Sequence, residues 1–127
     1  MSNFSSYPKL RIDAKFTVGA EAANVINVGV QLIDRHNGNQ LGEAVGLPWY
    51  LSTVATGQVI STAPSGGIAI GTDGLLIEWT ANISGLVVSE ADGDIDVDIT
   101  DTGTPTFYLV LVAPDGKLLV SPAITFA

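Results

Sequence analysis

Ile95-Asp96-Val97-Asp98-Ile99, then Thr106-Phe107-Tyr108-Leu109-Val110-Leu111-Val112, then Leu118-Leu119-Val120-Ser121-Pro122-Ala123-Ile124-Thr125-Phe126 form three β-branched and aromatic runs with little between them. The two connections, 100–105 and 113–117, supply the Gly, Pro and Asp that turns require for positive φ, fixed φ and side-chain hydrogen bonds to nearby backbone. The stretch reads as a meander of three consecutive strands, and the scaffold is therefore β.

Upstream the same period continues. Over Leu10–Val18, Leu10, Ile12, Ala14, Phe16 and Val18 alternate with Arg11, Asp13, Lys15 and Thr17, the mark of a half-buried strand. Met1–Pro8 reads as an irregular arm, and 19–24, with Ala20, Glu21, Ala22 and Ala23, as a single helical turn too short to stand alone. Val25–Asp34 alternates with Val28, Val30 and Leu32 on one face and ends in a turn at Arg35-His36-Asn37-Gly38-Asn39. Pro48–Val54 is expected as a central strand with Trp49 or Tyr50 in the core. Ile68–Ile70, Leu75–Ala81 and Leu86–Ser89 are shorter strands between Gly-rich turns. No segment sustains a 3.6-residue period, so the expected architecture is an all-β sandwich of one domain, with 1–24 as N-terminal arm and first strand and 25–127 as the body.

Composition narrows the function. A chain of 127 residues buries enough surface to fold without staples, and it holds no cysteine and one histidine. Disulfide frameworks, thiolate zinc sites and histidine-rich metal sites are thereby excluded. The first residues carry no basic, apolar leader, and no window approaches the ~18 apolar residues of a membrane helix. The expectation is a soluble protein made in its producer's cytoplasm, without a membrane partner. Residues 1–40 carry a net charge of +1, whereas 41–127 carry −9, with Lys117 the one cation among ten carboxylates. Such a body is repelled by phosphate backbones, which argues against nucleic acid as partner.

Candidate chemistry is sparse. Glu90, Asp92, Asp94, Asp96, Asp98 and Asp101 suggest hard oxygen ligands for calcium. Yet Asp94, Asp96 and Asp98 alternate with Ile95, Val97 and Ile99, which places the carboxylates ~7 Å apart along one strand face. A solvated face is the expected reading and a weak calcium or lattice-contact site the alternative, since no start in this run supplies an EF-hand's Gly and Glu. His36 stands alone in a turn, and no Gly-x-Ser-x-Gly elbow is present. The glycine-rich Ala63–Gly71 lacks the lysine and helix of a phosphate loop. Glycosidase-type carboxylate pairs are three-dimensional and stay open. Trp49, Tyr50, Trp79, Phe107, Tyr108 and Phe126 are expected in the core, with Trp79, between Glu78 and Thr80, the one that can face out. The expectation is a non-enzymatic protein without cofactor.

Val30-Gln31-Leu32-Ile33-Asp34 with Asn37-Gly38-Asn39, Trp49-Tyr50-Leu51-Ser52, Asp92-Gly93-Asp94-Ile95, Thr106-Phe107-Tyr108-Leu109 and Pro114-Asp115-Gly116 resemble the strand and turn pattern of bacterial and phage immunoglobulin-like domains. Thr62-Ala63-Pro64-Ser65-Gly66-Gly67, the Ser89–Thr100 stretch and Pro122-Ala123-Ile124-Thr125-Phe126-Ala127 resemble small virion structural proteins of tailed bacteriophages, over about residues 25–127. The resemblance implies an immunoglobulin-like sandwich and a capsid decoration or cement role. Its partner would be the major capsid protein, its place the capsid surface, and its state a homo-oligomer, with a trimer suggested by the three-fold sites of capsid lattices. In that reading Phe4, Tyr7, Lys9, Arg11 and Lys15 contact the capsid, the arm adding a strand to an exposed edge. The alternatives are a host- or glycan-binding module of a head or tail fibre and, third, a tail-tube or tail-terminator component.

Overall fold

The computed structural model describes residues 11–127. These form ten strands and no helix: β1 (Ile12–Val18), β2 (Val25–Asp34), β3 (Gly46–Ser52), β4 (Gly67–Ile70), β5 (Leu75–Thr80), β6 (Ser84–Val88), β7 (Asp94–Thr100), β8 (Thr106–Val112), β9 (Leu118–Val120) and β10 (Ile124–Thr125). One sheet has the order β1-β2-β7-β4, the other β10-β8-β3-β6-β5 with β9 also on β8, and every pairing is antiparallel. The two sheets pack as a sandwich because each strand buries alternate residues. Ile26, Val28, Val30 and Leu32 of β2 and Ile95, Val97 and Ile99 of β7 meet Leu47, Trp49 and Leu51 of β3 and Leu109 and Leu111 of β8. Phe107 and Phe126 close one end edge-to-face, with ring centroids 6.1 Å apart.

Three local expectations are corrected. Residues 19–24 make no helical turn. Ala22 and Val25 exchange both backbone hydrogen bonds, and Ala23 (φ 53°) and Asn24 (φ 68°) sit left-handed, which is the two-residue hairpin geometry that matches strand twist. The closing strands are not a simple meander either, because β7 pairs with β2 and β4 while β8 lies in the opposite sheet. Residues 101–105 cross between the sheets, held by buried Asp101, whose carboxylate accepts the Ser65 and Gly103 N–H groups at 2.9 and 2.7 Å. Finally, the run 118–126 splits in two at Ser121-Pro122-Ala123. Pro122 has no N–H for the ladder, and the pairing with β8 shifts register across it.

The spatial order of the sheets matches that of a variable-type immunoglobulin sandwich, four strands against an extended five-position sheet. The chain order differs in the middle, where the edge strand β4 precedes the β5–β6 hairpin and the outermost strand β5 precedes β6.

That hairpin owes its shape to one glycine. Gly85 faces the interior opposite Trp49, and a Cβ there would stand 1.8 Å from the Ile77 carbonyl oxygen. The space it leaves open lets the buried Trp49 indole N–H donate to that oxygen at 3.2 Å. The register of β5 on β6 then slips between Glu78 and Thr80. β5 is thus held on its inner side by half-buried Leu76 and by this one cross-strand hydrogen bond, and its other residues are exposed.

Candidate functional site

The two outer faces of the sandwich differ in chemistry. On the four-stranded sheet, Asp94, Asp96 and Asp98 of β7 point outward beside Asn27, Gly29 and Gln31 of β2, as the alternation in the sequence requires. Asn27 bridges two of them, donating to Asp96 and, at 2.9 Å, to Asp98. Asp96 also accepts the Thr72 hydroxyl at 2.7 Å and the Thr72 N–H at 3.2 Å. Desolvation pushes the Asp96 carboxyl up, but the hydrogen bonds from Thr72 and Asn27 outweigh it and hold it below the usual range. Asp94 is shifted up, first by desolvation and then by the neighbouring charges of Asp73, Asp92 and Asp96. Among the described residues no three His, Cys, Asp or Glu side chains are placed to hold a metal ion.

The other motifs are structural in geometry. In 63–71 the N–H groups of Ser65, Gly66, Gly67 and Gly71 donate to Asp101, Thr100, Pro64 and Asp96, so none of these is aimed at an anion. Buried Ser89 and Ser121 each accept a backbone N–H, from Val45 and Leu109, and each donates to a neighbouring carbonyl. His36 is exposed, its N–H bound to Asp34.

On the six-stranded sheet the loop 53–60 lies over β8, β9 and β3. The Tyr50 hydroxyl donates to the Gly57 carbonyl, and Gly57 abuts Val110 and Val120. The β5–β6 half of this face stays open. Leu75, Ile77 and Trp79 project from it with 54%, 41% and 64% of their surfaces in water, and the register sets them beside half-buried Val88 and Leu86. With aromatic side chains of roughly 150–250 Å² and aliphatic ones somewhat smaller, the three leave on the order of 300 Å² exposed, the scale at which a patch carries meaning. Of the six aromatics expected in the core, Trp49, Phe107 and Phe126 are buried there, Tyr50 and Tyr108 are half-buried on the outer face, and Trp79 is exposed.

No protein-family model and no curated protein sequence matches the chain. Among solved structures it is similar to a conjugate transposon protein of Bacteroides vulgatus, determined in solution over residues 27–141, with a TM-score of 0.52 and 13% identity. The match covers 99% of this chain and 91% of that one. The likeness establishes the all-β sandwich fold.

Of the residues expected to form a binding arm, the two that are described, Arg11 and Lys15, lie away from the apolar patch. Phe4, Tyr7 and Lys9 lie outside the described residues. Arg11 is exposed just before β1, and its carbonyl accepts the Arg35 N–H at 3.0 Å. Lys15 is in β1, which pairs with β2 along all seven of its residues, so Ile12–Val18 is a strand of the sandwich itself. β1 forms one lateral edge of its sheet, and β4, at the opposite edge, is the strand that lies against β5. Lys15 and Trp79 therefore sit at opposite edges of the molecule. The signal for the patch was present in the sequence: three apolar residues at i, i+2 and i+4 in Leu75-Leu76-Ile77-Glu78-Trp79.

Proposed function

We propose that the chain is a non-enzymatic structural protein of a tailed-phage virion, a decoration protein that docks on the head shell through the β5–β6 face and turns its acidic β7 face to solvent. The observation that carries this reading is the asymmetry of the sandwich, an apolar patch on one sheet and a carboxylate row on the other. A lattice-bound protein needs one adhesive side and one side whose charge keeps particles apart. The resemblance of residues 25–127 to small virion structural proteins supplies the identity of the lattice. Cosedimentation of purified protein with matured, undecorated tailed-phage heads tests it. A saturable ratio near one copy or one trimer per capsid site is the expected result, and absence of binding overturns it.

Exposed Trp79 favours a second reading, a glycan-binding module of a fibre, because an indole face in water is a stacking platform for sugar rings. Glycan arrays and intact host cells discriminate: saturable glycan binding that is lost in Trp79→Ala supports this reading, and silence there removes it.

A further inference from the structure

Beside the apolar patch lies a strand edge that is unpaired among the described residues, and its surroundings select a partner. β6 hydrogen-bonds to β3 through the odd-numbered positions, as Leu51 N–H to Ile83 carbonyl and Ser89 N–H to Val45 carbonyl fix the phase. Its even-numbered positions therefore serve β5, where Leu75 and Ile77 face β6 and the backbone groups of Leu76 and Glu78 face outward. That edge opens onto a groove of about 320 Å³ lined by Ile68 and Ile70 of β4, Gly74, and Leu75, Leu76 and Glu78 of β5. β4 is likewise an edge strand among the described residues, so the groove runs between the margins of the two sheets.

We infer that this groove binds an extended segment of a partner protein in which apolar residues alternate with lysine or arginine, added as a further strand on β5. This rests on the reading of the β5–β6 face as the contact surface, and not on which assembly supplies the partner. Three features specify the occupant. The outward N–H and C=O groups of Leu76 and Glu78 require a strand's backbone. Alternate side chains of an added strand reach on one face the exposed row Leu75, Ile77 and Trp79, which suits apolar residues. On the other they reach Glu78 beside Leu76, Ile68 and Ile70, where the apolar stem and charged head of lysine or arginine both find a partner. Among the described residues the charge at this end has one sign, because residues 41–116 contain no lysine or arginine, and Asp73, Glu78 and Glu90 flank the edge. A second copy of the chain fits worse. It brings the same net −8, and the patch is well below the roughly 800 Å² per partner of a stable interface.

The probe is the blocked peptide acetyl-KVKIKVK-amide, titrated into ¹⁵N-labelled full-length protein. The expected result is saturable shifts of the Leu76, Glu78 and Ile70 amides, with affinity falling at least tenfold in Glu78→Lys and between 50 and 300 mM salt. The peptide with its lysines replaced by glutamate is expected not to bind. Ile77→Lys, a change at a water-facing side chain, is expected to weaken binding while leaving the melting temperature in place, which separates loss of contact from loss of fold. Absence of shifts at millimolar peptide, shifts confined to the β7 face, or equal binding of the glutamate peptide each overturn the inference. So does sedimentation of the free protein as a dimer that Ile77→Lys dissociates. Peptide binding without binding to phage heads leaves this inference standing and removes the virion reading, so the two fail separately.

Discussion

Alanine at position 85 is the smallest change that tests how the exposed strand is held. The added Cβ would lie 1.8 Å from the Ile77 oxygen, 2.7 Å from its carbonyl carbon and 2.9 Å from Glu78 Cα, all backbone atoms that no rotamer change can move aside. To reach even a 3.0 Å contact the oxygen must retreat by about 1.2 Å, which stretches the 3.2 Å bond from Trp49 past useful range. Two costs follow. Overpacking of a closely fitted site costs ~1–3 kcal/mol, and a buried indole N–H left without an acceptor costs ~1–3 kcal/mol. Their combined ~2–6 kcal/mol is a large part of the ~5–15 kcal/mol that stabilises a domain, and at about 3–5 °C per kcal/mol for a chain of this size predicts a melting temperature lower by roughly 6–30 °C. Thermal and urea melts measure it, with Gly116→Ala as a control in which the new methyl meets nothing within 4 Å and only the left-handed backbone is strained. The double variant with Trp49→Phe should be sub-additive, since both changes remove one hydrogen bond. A Gly85→Ala loss no larger than that of Gly116→Ala, or strict additivity with Trp49→Phe, would refute the role given to this glycine.

Further outcomes are expected. Gly42→Ala should stabilise by ~0.4–1 kcal/mol in a urea melt, because its φ is not left-handed and its Cβ meets nothing within 4 Å, so the main effect is a less entropic unfolded chain. Trp79→Lys should change stability by less than about 0.5 kcal/mol while reducing binding to phage heads at least tenfold; retained binding would move the contact elsewhere. Asp94→Asn should stabilise the protein by up to about 0.5 kcal/mol at pH 7 in low salt. The Asp94 carboxyl is raised in the fold, so its ionisation destabilises above that value, and the gain should fade as pH falls toward the ordinary aspartate range. Asp115 has the opposite sign. The hydrogen bond from Arg35 holds it low, and its contribution, present above the unfolded value, should be lost as pH falls through the folded one, visible as a smaller acid-induced drop in melting temperature for Asp115→Asn.

The period-two pattern makes most strands legible in the sequence, because burial on one face leaves the same trace in β2, β3, β7 and β8 wherever they sit. What the pattern does not carry is which strand pairs with which. Thr100–Pro105 has the same Gly, Pro and Asp content as a hairpin turn, yet it crosses between sheets, and only the long-range bonds of Asp101 to Ser65 and of β7 to β2 and β4 distinguish the two. Two local signals carry more than the alternation around them. Pro122 inside an apolar run already implies a broken strand, and Gly85 beside Leu86 implies a close backbone approach. Asp13, Lys15 and Thr17 marked the outward side of β1 correctly. That this strand pairs within its own chain depends on Gln31, Gly29 and their neighbours, more than ten residues away.

The proposed docking role rests on β5. Exposed edge strands invite indiscriminate pairing, and natural proteins blunt them with charge, proline or bulges. This edge carries one carboxylate, Glu78, one register slip near Thr80, and no cation or proline, while presenting Leu75, Ile77 and Trp79 to water. Folding alone gives no reason for those three side chains, since Leu76 and the Trp49–Ile77 hydrogen bond already fix the strand. Lysine at position 77 and at position 79 would leave the inner side untouched and protect the edge better. An apolar outer row retained on a weakly guarded strand is explained if the edge has a partner, and the single charge left on it, with those around it, is negative. That sign excludes like-charged partners while admitting basic ones, which is how an exposed edge can stay selective in a chain of net charge −8.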